Sequence, residues 1–399
     1  MKKRILVISS RIPFPPTAGF RKRIQKFTEF FGENDIEVDL FFLFTDSDDL
    51  EHLPAIRGSY RGIYPNALSV AARMRNLLKS IFLGQSLQVN LYYSKKIARN
   101  LRRVIKDNSY DLLLWNHVRT AEYARRIESA APQIIDYHDS LGYHYLSSSD
   151  KAKGLWRLVY KYEGKKIEKY EKRILNTYQM ALITSEVDKA SIDPDCDRIR
   201  VIPMGIADDL ISRELPEHCE PWISFIGKMD YYPNVDAVGY FAKEVFPHLG
   251  SNLIFKIVGT NPSAKVLALS KNNPRIEVTG FVEDPFEILQ RSMLVVAPIR
   301  IGGGIQNKIL EGMALGKPVV TFPERIAPMT DIRDGKDVVS VSNTAEFIEK
   351  TNMLLNNQAL REEIGINARR YIASHFTWNQ IGKDLMAQIS PILHSPTGK

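Results

Sequence analysis

Three consecutive glycines run directly into a helical pattern in the stretch RIGGGIQNKILEGMALGKPVV, residues 300–320. Glycines let a backbone approach a ligand closely, and a helix beginning near Gln306 would present free N–H groups and the positive end of its dipole. A loop and helix of this kind typically bind phosphate. The stretch is not a P-loop, because Pro318 follows the Gly-Lys pair where Ser or Thr belongs. Asn307 stands in place of the last glycine of G-x-G-x-x-G, which argues against a dinucleotide dehydrogenase.

Glu311 lies about one turn into this helix, where its carboxylate could accept hydrogen bonds from two neighbouring hydroxyls, such as those of a ribose. Loop amides on phosphate and Glu311 on ribose would together bind a nucleotide. The alternative is that Glu311 only complements the helix dipole or pairs with Lys308. The candidate nucleotide-binding residues of this stretch are Gly303, Gly304, Ile305, Gln306, Lys308 and Glu311.

Short apolar runs alternate with helical patterns along the chain, which predicts parallel sheets with helices on both faces. In the first half the expected strands are 4–10, 36–44, 110–117 and 133–140. The rhythm restarts near residue 222, with expected strands at 222–230, 252–260, 275–282, 293–300 and 318–322. We therefore predict an α/β chain of two doubly wound, Rossmann-like domains, over 1–200 and 201–378, facing across a cleft that binds the ligand.

Composition is that of an ordinary globular protein, with 44% hydrophobic and 25% charged residues. Cys196 and Cys219 are the only cysteines of the 399 residues, which predicts no disulfide framework and a reducing cytoplasm. The basic start lacks a cleavage site and indicates a buried strand rather than a signal peptide. No apolar run approaches the ~20 residues that span a bilayer.

Net charge is +8, and Arg57–Lys106 contains eleven Lys/Arg without any Asp or Glu. Such a segment attracts anionic lipid or phosphate polymers. Its stretch ARMRNLLKSIFLG at 72–84 could form a helix that lies in a headgroup layer without spanning it. The alternative is that the apolar residues pack on the first domain and the charges are merely solvated. A second basic cluster at 151–173 could likewise attract phosphate polymers or anionic lipid, and the alternative is a solvated helix face.

Further motifs surround the glycine stretch in a fixed order. They are PFPPTAGFRKR (13–23), ALITSEVDKA (181–190), RVIPMG (200–205), FIGKMDYYPNVDAV (225–238), IVGTNP (257–262) and VTGFVEDPFEIL (278–289). Over nearly its whole length the chain resembles the retaining family 4 glycosyltransferases of the GT-B fold. It looks most like the sugar transferases associated with exosortase and exopolysaccharide clusters.

The resemblance implies roles for residues of the second domain. Glu311 matches the second glutamate of the family's two-glutamate motif, which binds the donor ribose, and Lys228 matches a residue that contacts the diphosphate. Two departures are visible. Gly303 stands where the family's first glutamate binds the donor sugar, and the second phosphate-binding lysine is missing from the region of Asn234. Lys308 could supply the missing charge.

In the first domain, Gly19 matches the glycine near the diphosphate and the reacting sugar, and Arg23 matches a basic residue on the following helix. His138, in DYHDS at a strand end beside Asp139, matches a histidine close to the transferred sugar. For Gly19 the alternative is a turn glycine after Pro15 and Pro16, and for His138 it is a structural histidine. The candidate catalytic residues are His138, Asp139 and Lys228.

The implied activity is sugar transfer from a nucleotide-diphosphate sugar to a glycan or lipid-linked acceptor in cell-surface polysaccharide biosynthesis. The nucleotide-sugar is a co-substrate, and neither another cofactor nor a catalytic metal is expected. The expected location is the cytoplasm at the inner membrane face, with an anionic surface contacted through 57–106 and no nucleic-acid partner. Segment 379–399 would pack back onto the first domain. The alternatives are a nucleotide-sugar epimerase, which would turn over donor without acceptor, and a non-catalytic glycan- or membrane-binding subunit.

Overall fold

The computed structural model describes residues 2–16, 19–82, 85–149, 152, 154–301 and 305–394, without the side chain of residue 81. It divides into two compact units. Unit 1 comprises Met1–Met204 and Gly382–Lys399, and unit 2 comprises Gly205–Ile381. Unit 1 is therefore discontinuous in sequence, with residues from both ends of the chain.

Unit 1 contains a parallel sheet. Its strands are β1 (Arg4–Ser9), β2 (Glu37–Phe44), β3 (Gly62–Ala67), β4 (Leu112–Asn116), β5 (Gln133–His138), β6 (Met180–Ile183) and β7 (Ile199–Val201). Among the described residues they form one seven-stranded sheet in the order β3-β2-β1-β4-β5-β6-β7. The strand order reverses between β1 and β4. This reversal is the topological switch point, beyond whose carboxyl ends ligands bind in doubly wound folds.

Helices connect these strands. They are α1 (Gly19–Glu33), α2 (Leu53–Ile56), α3 (Val70–Phe82), α4 (Leu87–Asn90), α5 (Lys95–Asp107), α6 (Ala121–Ala124), α7 (Leu141–Ser149), α8 (Leu155–Ile174) and α9 (Glu186–Ile192). Short 3-10 turns occur at Ser47–His52, Arg57–Ser59, Val118–Thr120 and Leu175–Thr177. The helical spacing in α1 buries Ile24, Phe27 and Phe31 as one stripe.

Unit 2 repeats the plan. Its strands are β8 (Glu220–Ile226), β9 (Ile254–Val258), β10 (Ile276–Gly280), β11 (Ser292–Ala297), β12 (Val319–Thr321) and β13 (Val339–Ser340). Among the described residues they form one six-stranded sheet in the order β10-β9-β8-β11-β12-β13, with every neighbouring pair parallel. Its switch point lies between β8 and β11.

The helices of the second half are α10 (Asp208–Ser212), α11 (Tyr232–Tyr240), α12 (Ala264–Asn272), α13 (Pro285–Arg291), α14 (Asn307–Ala314), α15 (Pro323–Ile326), α16 (Thr344–Asn356), α17 (Gln358–His375) and α18 (Trp378–His394). Helix α11 continues through a π-helical turn, Phe241–Val245, and a 3-10 turn, Phe246–His248. Within the ranges that the structure describes, no helix combines the length and apolar character needed to cross a membrane.

Both faces of the second sheet are covered, as the continuous apolar strands predict. Along β11, Leu294 and Val296 pack with Phe225 on one face, whereas Val295 packs with Ile309 of α14 on the other. All five side chains are fully buried. The predicted α/β class with two doubly wound sheets is confirmed.

Candidate functional site

Lys228 lies at the switch point of the second sheet. It lies two residues after Ile226, the last residue of β8, and β8 pairs with β11 (Leu294↔Ile223). Its Nζ lies 3.2 Å from Asp230 Oδ2, and its side chain is 60% exposed. Because an exposed ion pair of this kind contributes only ~0–1 kcal/mol, the ammonium can exchange Asp230 for an anionic ligand.

The turn that carries Lys228 packs closely against the turn after β9. Gly259 has a φ of 148°, and a Cβ there would lie 1.7 Å from the Gly227 carbonyl oxygen, so only glycine fits. Buried Asn234 donates to the Lys228 carbonyl oxygen at 2.9 Å. Asn234 therefore fixes the backbone of this turn, in the region where the resembled family has a second lysine.

Helix α14 begins beside that turn, after neighbouring strand β11. Gln306 is its N-cap residue and makes no side-chain cap hydrogen bond to the helix. Ile305 precedes it and is half-buried. Gly303 and Gly304, the other predicted loop ligands, lie outside the described residues. The first turn of α14 thus directs its amides and the positive end of its dipole to the switch point.

Lys308 is a half-buried cation in this first turn. Its Nζ donates to Gln306 Oε1 at 3.4 Å and lies 5.6 Å from the centroid of the Phe225 ring. Burial lowers the pKa of Lys308 to about 8, and the negative charge of Glu311 opposes this shift. The structure therefore brings Lys308 and Glu311 together at the start of α14. The charge of Lys308 depends on pH near neutrality.

In unit 1, the structure brings Gly19 and His138 together. A Cβ at Gly19 would lie 3.3 Å from His138 Nε2. His138 ends β5 with a φ of 66°, in a region that non-glycine residues rarely adopt. Its Nε2 is buried and has no hydrogen-bond partner among the residues that the structure describes. A strained residue with an unsatisfied buried nitrogen is typical of a position where a ligand completes the hydrogen bonding.

Asp139 controls the charge of His138. The His138 Nδ1 and Asp139 Oδ2 atoms are 2.9 Å apart, and Thr184 Oγ1 donates to Asp139 Oδ1 at 2.7 Å. Burial alone would lower the pKa of His138, but the charge and hydrogen bond of Asp139 raise it above the ordinary value. Burial likewise opposes ionisation of Asp139, but His138 and His144 hold the pKa of Asp139 well below its usual range. The pair therefore favours an imidazolium beside a carboxylate.

A second set of buried carboxylates fixes the chain that follows this pair. Glu171 accepts from Ser140 Oγ at 3.0 Å and from the Leu141 amide at 2.9 Å, so it caps the start of α7. Asp188 accepts from the Ser140 amide at 3.1 Å. Burial raises the pKa of Glu171 to about 8. Sequence reasoning missed this support, because residues 171 and 188 lie far from 140 in the chain.

Arg23 lies inside unit 1. Its side chain is fully buried, its Nε donates to Asp136 Oδ2 at 2.9 Å, and its Nη1 donates to the carbonyls of Ile202 and Pro203. Nη2 is buried and has no hydrogen-bond partner in the described ranges. Arg23 therefore ties α1 to β5 and to the end of the first part of unit 1. Contact with a substrate stays a prediction for this residue.

Sequence reasoning also missed three residues at the end of β4: Asn116, His117 and Arg119. His117 has a φ of 69°, and both polar side-chain atoms of Asn116 are buried without a hydrogen-bond partner in the part of the chain that the structure describes. The signal was present, because an Asn-His pair directly follows the apolar run of a predicted strand, as DYHDS does for the next strand.

In the described ranges, no group of three or more His, Cys, Asp or Glu side chains could hold a metal ion. The absence of a catalytic metal stays a prediction.

Comparison with known proteins places this geometry in a fold class. Over 99% of both chains, the structure matches the crystal structure of TarM with a TM-score of 0.72 at 14% identity. The fold is GT-B. It also matches WaaG, a glycosyltransferase involved in lipopolysaccharide biosynthesis, with a TM-score of 0.65 and 15% identity over 96% of this chain and 99% of that one. Anabaena HepE in complex with UDP-glucose matches with a TM-score of 0.64 and 12% identity over 97% of this chain and 99% of that one.

Sequence comparison matches the segment that contains the second sheet. Residues 220–357 match the family model of glycosyl transferases group 1. An uncharacterized glycosyltransferase of Methanocaldococcus jannaschii is 26% identical over 41% of this chain and 43% of its own length. The capsular polysaccharide biosynthesis glycosyltransferase CapM of Staphylococcus aureus is 27% identical over 32% of this chain and 33% of its own. The chain thus matches less than half the length of these relatives.

Proposed function

We propose that this chain is a retaining glycosyltransferase that moves a sugar from a nucleotide-diphosphate sugar to a glycan or lipid-linked acceptor in cell-surface polysaccharide biosynthesis. One observation carries the proposal. Lys228 follows β8, while Lys308 and Glu311 begin the helix after β11, so all three flank the switch point of the second sheet. The match of 220–357 to glycosyl transferases group 1 covers the same segment and supports it.

The donor diphosphate binds to Lys228, Lys308 and the first amides of α14. These groups stabilise the negative charge that develops on the leaving diphosphate, without rearranging during the reaction. Glu311 accepts hydrogen bonds from the ribose hydroxyls. A uridine diphosphate donor is supported by HepE, whose structure was solved with UDP-glucose. The retaining outcome and the family 4 assignment rest on the motif resemblance.

In unit 1, Gly19, His138 and Asp139 contact the transferred sugar. Because Gly19 has no side chain, there is space for the sugar beside His138. The His138 Nε2–H donates to a sugar oxygen. The role of CapM in capsular polysaccharide and of WaaG in lipopolysaccharide biosynthesis supports a surface glycan as the product. We place the reaction in the cytoplasm.

The apolar stripe of α3 supports contact with a membrane surface. Val70, Met74, Leu78 and Phe82 are spaced four apart, and each is more than half exposed. Among the described side chains of α3, the buried ones are small or polar: Ala72, Asn76 and Ser80. Three exposed cations flank the stripe: Arg73, Arg75 and Lys79. An exposed apolar stripe beside cations is typical of a helix that lies in an anionic headgroup layer.

A second exposed apolar group lies at the start of α8. Leu155, Trp156 and Leu158 are each more than 60% exposed. Ser86, the N-cap of α4, donates to Glu163 Oε1 of α8 at 2.7 Å, and α4 also contacts α3. The two apolar groups are therefore carried by connected elements of unit 1. We infer that both belong to the membrane-facing surface.

A nucleotide screen tests the enzymatic proposal. We expect UDP or another nucleoside diphosphate to raise the unfolding midpoint, since a ligand stabilises the state that binds it. Glu311→Ala should weaken nucleotide binding in a calorimetric titration by at least about tenfold, because charge-assisted hydrogen bonds are lost. Glu324→Ala, which removes a carboxylate from another helix of the same unit, is the control.

Unchanged binding in the Glu311→Ala chain would refute the ribose assignment. Turnover of a nucleotide-sugar without acceptor would point instead to an epimerase. If none of the nucleotides and none of their sugars binds the wild-type chain, the chain is not a donor-dependent transferase.

A further inference from the structure

The switch point of the first sheet carries cations that the proposed function has not used. β1 and β4 are hydrogen-bonded neighbours, with Ser9 opposite Asn116. Arg11 follows β1 by two residues, and Arg119 follows β4 by three. Because neighbouring strands lie ~4.8 Å apart, both arginines begin at one small area of the sheet edge. This edge is where doubly wound sheets bind ligands.

The guanidinium of Arg119 is held in place by neutral groups. Its Nη2 donates to Gln88 Oε1 at 3.0 Å, and its central carbon lies 5.0 Å from the centroid of the Tyr92 ring. Its Nε is buried, and none of the described residues forms a hydrogen bond with it. Within the part of the chain that the structure describes, no Asp or Glu forms an ion pair with it. Burial lowers the pKa of Arg119, and the positive charge of Arg11 adds to this effect.

A largely buried cation without a carboxylate partner is costly, because water is removed and nothing replaces it. The fold nevertheless positions Arg119 through two side chains. Gln88 is itself held in place, since its backbone N–H donates to Glu163 Oε1 at 2.9 Å. A cation that is fixed but not neutralised is prepared for an anion that arrives with a ligand.

His117 adds a neutral donor beside the two arginines. Its Nδ1 accepts from the Arg119 amide at 3.3 Å, so the ring proton lies on Nε2. Burial and then the charge of Arg119 lower the pKa of His117, which keeps the ring uncharged near neutral pH. Its amide donates to the Asp136 carbonyl oxygen at 2.7 Å, which holds the residue beside β5 despite its positive φ. His117 thus lies between the arginines and the strand that ends in His138.

We propose that Arg11, His117 and Arg119 form a subsite for an anionic group, a phosphate or a carboxylate, on the acceptor. The inference rests on the proposed transferase function and names the class of its acceptor. The guanidinium fork of Arg119 matches both oxyanions, and Arg11 adds a second charge. His117 Nε2 donates to an oxyanion or to an adjacent hydroxyl of the acceptor.

Ligand-observed NMR on the full chain tests the subsite. The probes are glucose 6-phosphate, glucuronate and glucose at one ionic strength. The nucleotide that gives the largest thermal shift is kept at saturating concentration, so that phosphate cannot enter the donor site. We expect glucose 6-phosphate, glucuronate or both to bind at least about tenfold more tightly than glucose. The tighter of the two identifies phosphate or carboxylate as the natural group.

Arg119→Gln and, separately, Arg11→Gln should remove most of this preference while nucleotide binding stays unchanged. Arg11 is exposed, so its variant should fold even if the Arg119 variant does not. Arg103→Gln, which removes an exposed arginine from α5, is the matched control and should keep the preference.

The inference is overturned if neither anionic sugar binds better than glucose, or if a folded Arg119→Gln or Arg11→Gln chain keeps the full preference. Nucleotide binding separates the two proposals. A chain that binds nucleotide but shows no anion preference refutes only the subsite, whereas a chain that binds no nucleotide refutes the transferase.

Discussion

If Lys308 contacts the donor as proposed, nucleotide binding should depend on pH. Because burial lowers its pKa to about 8, its charge is present at pH 7 and mostly lost at pH 9. We expect nucleotide affinity, measured by calorimetry, to fall across this range. Lys308→Arg should remove most of the pH dependence, since arginine stays charged, while exposed Lys271→Arg should not.

Lys308→Ala and Lys228→Ala should each lower kcat/KM more than they lower stability.

The stability of the protein should change in the opposite direction. Between pH 8 and ~10.4 the unfolded chain keeps the Lys308 proton that the folded chain has lost, so the free energy of unfolding rises with pH. Weaker binding at pH 9 therefore cannot be ascribed to unfolding from this group. Constant affinity between pH 7 and 9 would mean that the Lys308 charge does not contact the donor.

His138 depends on Asp139 for its raised pKa. In Asp139→Asn the carboxylate charge is lost, burial becomes the dominant effect, and the pKa of His138 should fall below the ordinary value. Titration of the histidine C2 protons by NMR measures this shift. His248, which belongs to the other unit, is the internal reference. If the pKa of His138 is the same in both chains, Asp139 does not control its charge.

At this scale the sequence predicted residues that follow apolar strands, such as Lys228 and His138, because polar residues at strand ends are visible in the pattern. The burial of Arg23 was not visible, since its partner Asp136 lies more than a hundred residues away in the chain. Arg119 was hidden in the same way. Its guanidinium is positioned by Gln88 and Tyr92, and these side chains reach Arg119 only in the folded chain.

Among the elements, helix α3 has an exposed apolar stripe, whereas a polar residue of the same helix, Asn76, is buried. We expect the chain to co-sediment with vesicles that contain anionic lipid and to be released by salt. Each cation near such a surface adds ~1 kcal/mol, so changing Arg73, Arg75 and Lys79 to glutamine should abolish most of the binding. Changing Lys243, Lys265 and Lys271 of unit 2 to glutamine is the matched control.

Equal sedimentation with neutral and anionic vesicles, or none with either, would contradict a membrane role for α3. A chain in which Met74, Leu78 and Phe82 are changed to serine separates the two contributions. It should keep weak, salt-sensitive binding through the cations and lose the part that resists salt.

The strands with continuous apolar runs, β1, β2, β4 and β5, were predictable from the sequence because both of their faces are buried. β3 was not, since its residues GIYPNA include proline and asparagine, and it lies at the edge of the sheet where proline is tolerated. β13 has only two residues, too few to form a pattern. The helix at 72–84 was predicted, but the sequence left open which of its faces is exposed.

The two units have separate cores, which predicts two unfolding transitions for the whole molecule. Saturating nucleotide should stabilise unit 2 alone, by ~2.7 kcal/mol at a hundredfold excess over Kd, and so raise the temperature of its unfolding transition. Arg23→Met should lower the transition temperature of unit 1. It leaves Asp136 buried and unpaired, at a cost of ~3–5 kcal/mol. Differential scanning calorimetry measures both effects. A nucleotide that raises the transition lowered by Arg23→Met would place the donor site in unit 1.

The discontinuity of unit 1 has a consequence for protein synthesis. Gly382 lies so close to the Phe30 ring that a Cβ there would clash at 2.3 Å, and Leu385 and Ile389 of the same helix are fully buried. On a ribosome, Phe30 emerges early, whereas residues 382–394 emerge only after all of unit 2. At ~5–20 residues per second, the wait while unit 2 is made lasts on the order of ten to thirty seconds. During that time the apolar surface that α18 later covers is exposed to solvent. We expect a chaperone to bind the nascent chain at this surface.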